Sequence, residues 1–282
     1  MSRRKLEEGV FKSLMVLSML VVLGSLMLIV ATVVWRGLPA LNLDMLVRTP
    51  KGGYYLGEQG GILNAIVGSF YLAGGATLLA FGISLPIALY LNFYATRSQY
   101  TELARLALDV LWGVPSIVYG AFGFTLMLWL GMRASLLGGI FALALLELPI
   151  MVRGMDEVIT MVPAALKEAS YGLGATRLET AMKVVLRQTG PALLTAVLLA
   201  FGRGIGDAAS VLFTAGYTDR LPESLFDPAA SLLLAIFFQL GTPFPAVQQR
   251  AYASALVLTV IVLVICLISR RLAGRLTKHV IR

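Results

Sequence analysis

Arg203 and Asp207 stand four residues apart in a stretch, 190–214, that carries no other charge. Residues at i and i+4 of a helix share a face, so guanidinium and carboxylate would meet there. A guanidinium donates hydrogen bonds as a planar fork, a geometry suited to oxyanions. Two roles are open for such a pair in an apolar segment. It could neutralise itself and hold helices together, or Arg203 could face a path while Asp207 keeps the guanidinium from gripping an anion too tightly. No other constellation suggests chemistry. There is no arrangement for a catalytic triad or a covalent nucleophile, His279 stands alone in a basic tail, and no metal or cofactor is expected. Cys266 is the single cysteine, so no internal disulfide can form.

The elements that must position Arg203 are read from where charge is missing. Charged residues make up 13% of the 282 residues and apolar ones 58%, against roughly 25% charged in ordinary globular proteins. Residues 13–35, 59–96, 110–132 and 251–269 contain no Asp, Glu, Lys or Arg. A helix needs about 20 apolar residues to cross the bilayer core. The expectation is an all-α membrane protein with six transmembrane helices, near 13–35, 62–91, 107–131, 134–152, 190–214 and 250–269. Prolines and glycines inside them, such as Gly74, Gly75, Gly82, Pro86 and Pro115, mark kinks or close packing. The first apolar run is longer than a signal-peptide core of about 7–15 residues, so an uncleaved first span is expected. Arg203 would lie about 12 residues into the fifth span, roughly 18 Å along it and near the midplane.

A seventh apolar stretch, 228–249, is interrupted by Gly241, Pro243 and Pro245. With six spans, sixteen of the 23 Lys and Arg residues fall on the side of both termini and six on the other. Basic residues collect on the cytoplasmic side, which places both termini in the cytoplasm. A seventh span would move the Arg-rich tail outside, so 228–249 is expected as a partly inserted or surface helix on the outer side. This bias also explains the net charge of +8 without invoking nucleic acid.

Residues 153–187 then form the long cytoplasmic loop. Proline favours the first turn of a helix, so Pro163 opens one over Ala164–Tyr171. Gly172 and Gly174 stop it, and Ala175–Leu186 begins another. Within the loop, Glu168-Ala169-Ser170 followed by Gly174 matches the EAA loop of ABC importer permeases. Leu148-Pro149, Arg153, Glu157, Met161-Val162-Pro163 and Gly174-Ala175-Thr176 follow that family's pattern, whereas Arg187 replaces its usual proline. The resemblance implies a type I ABC importer permease fold, with a coupling helix that docks on a cytoplasmic ATPase. Small Ala169 and Ser170 would let the partner approach, Glu168 would anchor it, and Gly174 would make the turn. No G-x-x-x-x-G-K-[ST] string occurs, so the chain is not expected to be an enzyme, and energy must come from elsewhere.

Three further segments resemble the PstA type of phosphate permease: Gly60-Gly61-Ile62 with Ala65–Ser69, Gly113–Gly120, and Gly202–Ala209 with Leu212–Ala215. The resemblance covers about residues 60–270. It divides the chain into an N-terminal helix and extracytoplasmic loop (1–60), a transport core (61–272, with the EAA loop at 153–187) and a basic tail (273–282). It implies a bacterial inner-membrane phosphate importer. The partners would be a PstC-like second permease, a PstB-like ATP-binding dimer and an extracytoplasmic PstS-like phosphate-binding protein, with lipid around the spans. Arg203 would stabilise phosphate in transit, with Asp207 standing where the family has Glu. Arg153 aligns with another basic position of the family and equally suits an ordinary inner-face anchor. Glu147, near the inner end of the fourth span, reads as a packing or gate contact. A permease for sulfate or molybdate, or an ion-coupled secondary transporter, are the alternatives.

Overall fold

The computed structural model describes residues 3–51, 59–95 and 99–276. Arg97, His279 and most of the basic tail lie outside the described residues. The chain begins with α1 (Arg3–Gly37), whose side chains are exposed over almost its whole length. Such a surface is stable only against lipid or another chain. Its hydroxyls are satisfied locally, Ser18 donating to Leu14 O at 2.9 Å and Thr32 to Leu28 O at 2.7 Å, as an apolar surrounding demands. A short helix, α2 (Leu43–Val47), capped by Asn42, and a two-stranded hairpin, β1 (Pro50–Lys51) and β2 (Gln59–Gly60), follow at the same end.

The core is built on α3 (Leu63–Phe93) and α6 (Leu136–Thr160), which pack along each other. Ala73, Ala76, Ala80, Ala88 and Leu72 of α3 are buried, as are Leu143, Leu146, Met151, Met155 and Ile159 of α6. The small residues of α3 bring the helices close, as expected where packing rather than water drives association. Between them in sequence come α4 (Gln99–Gly113) and α5 (Ser116–Trp129), bent by 99° to each other. The expected single span at 107–131 is therefore broken. Pro115 keeps the residue before it out of the helical region and serves as the N-cap of α5. Among the described residues, five helices are long and apolar enough to cross a membrane, or six if the bent pair counts as one span.

The expected inner end of the fourth span, at residue 152, is also corrected. Helix α6 continues unbroken to Thr160, because the charges that resemble a loop are paired with one another. Asp156, 4% exposed, accepts from Arg105 at 2.9 and 3.0 Å and from Asn92 at 2.7 Å, and lies 3.2 Å from Arg153. This network ties α3, α4 and α6 together.

Helix α7 (Ala164–Gly172) spans the predicted segment and one residue more. The next helix begins with α8 (Arg177–Glu179), whose N-cap Thr176 and Glu179 form a reciprocal capping box. It passes through a π-turn at Thr180–Val185 and runs on as α9 (Leu186–Ile205). The fifth span is thus Arg177–Ile205, not 190–214. It ends early because Gly206 cannot prolong a helix cheaply and Asp207 accepts from Ser210 N at 2.9 Å, stabilising a turn instead.

From 206 to 231 the backbone is irregular; Asp207, Ser210, Val211, Thr214, Ala215 and 229–231 are buried, whereas 220–228 is mostly exposed. Non-helical chain at such depth must find internal hydrogen-bond partners. Ser135 and Leu136, at the start of α6, donate to Thr214 O and Asp227 O at 2.9 and 2.7 Å, and Leu137 donates to Leu225 O at 2.8 Å. The segment thereby satisfies amide groups that a helix N-terminus leaves open. Helix α10 (Leu232–Leu240) follows, too short to cross, and α11 (Pro245–Leu276) is the last long helix. The expectation that 228–249 adds no full span holds.

Candidate functional site

Arg203 occupies the last turn of α9, its side chain 53% exposed, with Nη2 3.8 Å from Oδ1 of Asp207, which is 5% exposed. At that distance the two are an ion pair rather than a hydrogen bond. The predicted pair therefore forms, although Asp207 sits in the turn beyond the helix and also holds Ser210 N. The guanidinium is open to the surroundings of the chain, and the carboxylate behind it is fixed.

The depth of Arg203 follows from its neighbour. A methyl group placed on Gly204 would overlap Oε1 of Glu147, so α9 ends hard against that carboxyl. Glu147 lies 11 residues from Leu136 and 13 from Thr160 along α6, about 17 Å from one end at 1.5 Å per residue. Thr77, midway along α3, donates to Glu147 Oε2 at 2.8 Å. Arg203 is thus level with the middle of both core helices, although it stands in the last turn of its own helix and not about 12 residues into it as expected. Glu147 is corrected from the inner end to the centre, since α6 extends eight residues beyond the expected end of the span at 152. Its side chain is fully buried, and Oε1 has no hydrogen-bond partner.

Arg153 is not part of this site. It lies six residues beyond Glu147, with Nε 2.6 Å from Asp109 Oδ1 and Nη1 3.2 Å from Asp156 Oδ2. The Nε–H is not directed at a hydrogen-bond acceptor, so the contact with Asp109 is an ion pair. Asp109 and Asp156, with Glu157 4.0 Å from Nη2, hold this arginine among α4 and α6.

The helix–turn–helix that begins with α7 is assembled as a unit. Glu168 and Ala169 face outward, whereas Ser170 is buried, its Oγ 2.8 Å from Oγ1 of fully buried Thr180 in the π-turn. Ser170 was expected to open the helix surface to a partner; it instead fastens α7 to the base of the α8–α9 rod. Gly174 has φ +84°, a left-handed cap that glycine adopts without penalty. Lys167 stands over the Phe93 ring at 5.3 Å, and burial pushes its ammonium below the usual lysine range. Arg177 donates to Phe93 O at 3.4 Å. These contacts, around an open cleft of about 800 Å³, join the loop to the end of α3.

Sequence reasoning missed the large apolar residues on this surface. Leu173 is 89% exposed and Met161 80%, and Leu178 and Met182 are exposed beside them. Unpaired apolar side chains in a loop otherwise rich in charge were the available signal.

The chain is a membrane subunit of the binding-protein-dependent importer class. Residues 84–282 match the family described as "Binding-protein-dependent transport system inner membrane component". The chain is 34% identical over 268 residues to the phosphate transport system permease protein PstA of Haemophilus influenzae, covering 95% of this chain and 94% of that one. It is 33% identical over 263 residues to PstA of Mycobacterium leprae, covering 92% and 86%. The chain belongs to this PstA family of permease proteins. Its fold is shared with a chain of a bacterial alginate ABC transporter, solved in complex with an alginate pentasaccharide-bound periplasmic protein (TM-score 0.64, 15% identity, 97% and 99% of the two chains). It is also shared with the inward-facing MetNI methionine ABC transporter (TM-score 0.61, 19% identity, 77% and 96%).

Proposed function

We propose that this chain is the permease subunit of an ATP-driven inorganic phosphate importer in the bacterial inner membrane. The observation that carries the reading is Arg203, a half-exposed guanidinium level with the middle of the spans, in a chain of the PstA family. Both termini and α7 face the cytoplasm, where the excess of Lys and Arg lies. A second PstC-like permease completes the path, a PstB-like ATPase dimer binds α7, and a PstS-like protein delivers phosphate from outside. ATP hydrolysis belongs to the partner, since no phosphate-cradling loop occurs in this sequence.

The mechanism follows from the connections around the rod. Glu168, Ala169 and exposed Leu173 offer the ATPase a charged and apolar docking surface. When the ATPases close, α7 moves, and the Ser170–Thr180 bond carries the movement to the base of the 29-residue helix Arg177–Ile205. The other end of that helix bears Arg203. Docking and transit site are thus two ends of one lever. At the transit site Arg203 donates to phosphate oxygens, and Asp207 restrains the strength of the grip. Arg153 acts as a structural anchor at the cytoplasmic end.

Competition during ATP-dependent uptake by the reconstituted transporter tests substrate choice. Labelled phosphate should enter and be displaced by unlabelled phosphate, and excess sulfate or molybdate should leave uptake unchanged. Uptake of sulfate or molybdate in place of phosphate would overturn the reading. Family membership supports the ATP-driven reading over the ion-coupled alternative, and transport without ATP would overturn it.

A further inference from the structure

We infer that Glu147 is an alternate counter-ion for Arg203, a positioning residue that takes the guanidinium from the transit path once in each cycle and so releases the bound oxyanion. The inference rests on the reading of Arg203 as a transit site. Glu147 is wholly buried at the centre of α6; one carboxyl oxygen is held by Thr77 and the other meets no donor. A buried carboxyl with a single neutral partner is unfavourable unless a better partner arrives at some stage. The elements packed around it offer few candidates. Helix α3 contains no charged residue, Arg153 on α6 is held by Asp109 and Asp156, and the cation on α9 near this depth is Arg203.

Arg203 is the immediate neighbour of Gly204, whose backbone the open oxygen abuts. Successive residues of a helix are about 100° apart around its axis. A turn of the end of α9 through that angle would replace the Gly204 backbone by the Arg203 side chain in front of Glu147. The end of α9 is built for such a turn. Gly202, Gly204 and Gly206 alternate there, and glycine lowers the cost of rewinding a helix end. Among the described residues, Arg203 is held by a 3.8 Å pairing with Asp207. One orientation leaves the guanidinium in the path beside Asp207, and the other hides it against Glu147. An oxyanion bound in the first would lose its partner in the second.

Glu147→Gln tests this in the fully assembled transporter reconstituted in vesicles, because it keeps the side chain's size and an oxygen for Thr77 but removes the charge. Assembly should match wild type, while kcat for uptake falls about tenfold or more and KM does not rise, since binding persists and release slows. Wild-type kcat and KM, or a defect confined to the amount of assembled complex, would overturn the inference. A second measurement needs no uptake: the pair Glu147→Cys and Arg203→Cys in a Cys266→Ser background, oxidised with and without vanadate trapping. A disulfide in the trapped state alone is expected, and none in either state, or one in both, overturns it. If wild type carries another anion, the proposed substrate fails, but the cross-link still reports on Glu147 and Arg203.

Discussion

Asp156→Asn should weaken the chain where α3, α4 and α6 meet. The substitution keeps the side chain's shape but removes the charge that accepts two bonds from Arg105 and faces Arg153. Removing one partner of a buried ion pair costs about 3–5 kcal/mol. Two features lower that figure here. Arg105 is 36% exposed, so water recovers part of its solvation, and Arg153 keeps Asp109 at 2.6 Å. About 2–3 kcal/mol remains. For chains of this size each kcal/mol moves the midpoint by roughly 2–4 °C, so the thermal midpoint of the detergent-purified chain should fall by about 4–12 °C. Asp109→Asn should fall by less, because that carboxylate is 47% exposed and faces Arg153 alone among the ion pairs described. Measuring both by fluorescence-detected unfolding checks the ranking. An unchanged midpoint for Asp156→Asn would refute the claim that the network holds α6 helical to Thr160.

Glu168→Lys should leave the permease inserted and folded but abolish co-purification with the ATPase; retained assembly and uptake would show that α7 docks without this charge. Gly174→Ala, at φ +84°, should destabilise the loop by roughly 1–2 kcal/mol, read as faster proteolysis between α7 and α8 and a lower rate of uptake. Wild-type cleavage would show that the turn can relax.

Much of the architecture was legible because membrane spans are written as absences of charge. Helix α7 could be read from Pro163 and Gly174, each of which acts through local backbone geometry. The failures have one physical origin, which is that sequence shows where charges are but not whether they are paired. Arg153 and Asp156 resemble a loop, yet continue α6 because Arg105, Asn92 and Asp109 meet them across helices distant in sequence. Arg177, Lys183 and Arg187 similarly hid the beginning of the fifth span. Pro115 reads as a kink within one third span, and the 99° break between α4 and α5 is not foreseen, because it depends on what α4 packs against. At the site, Arg203 and Asp207 were found because an isolated charge pair in an apolar run is conspicuous. Glu147 was underestimated, since its position depends on where α6 ends. Ser170 was assigned to the surface because its partner, Thr180, lies in a π-turn that no local signal announces.

The central claim is that a phosphate path runs past Arg203, and its most direct test is ATP-dependent phosphate uptake by the reconstituted four-component transporter carrying Arg203→Ala. A hydrogen bond to a charged group contributes about 1.5–3 kcal/mol, so removing the guanidinium should slow uptake at least about tenfold with assembly intact. Phosphate uptake at the wild-type rate by that variant would contradict the account.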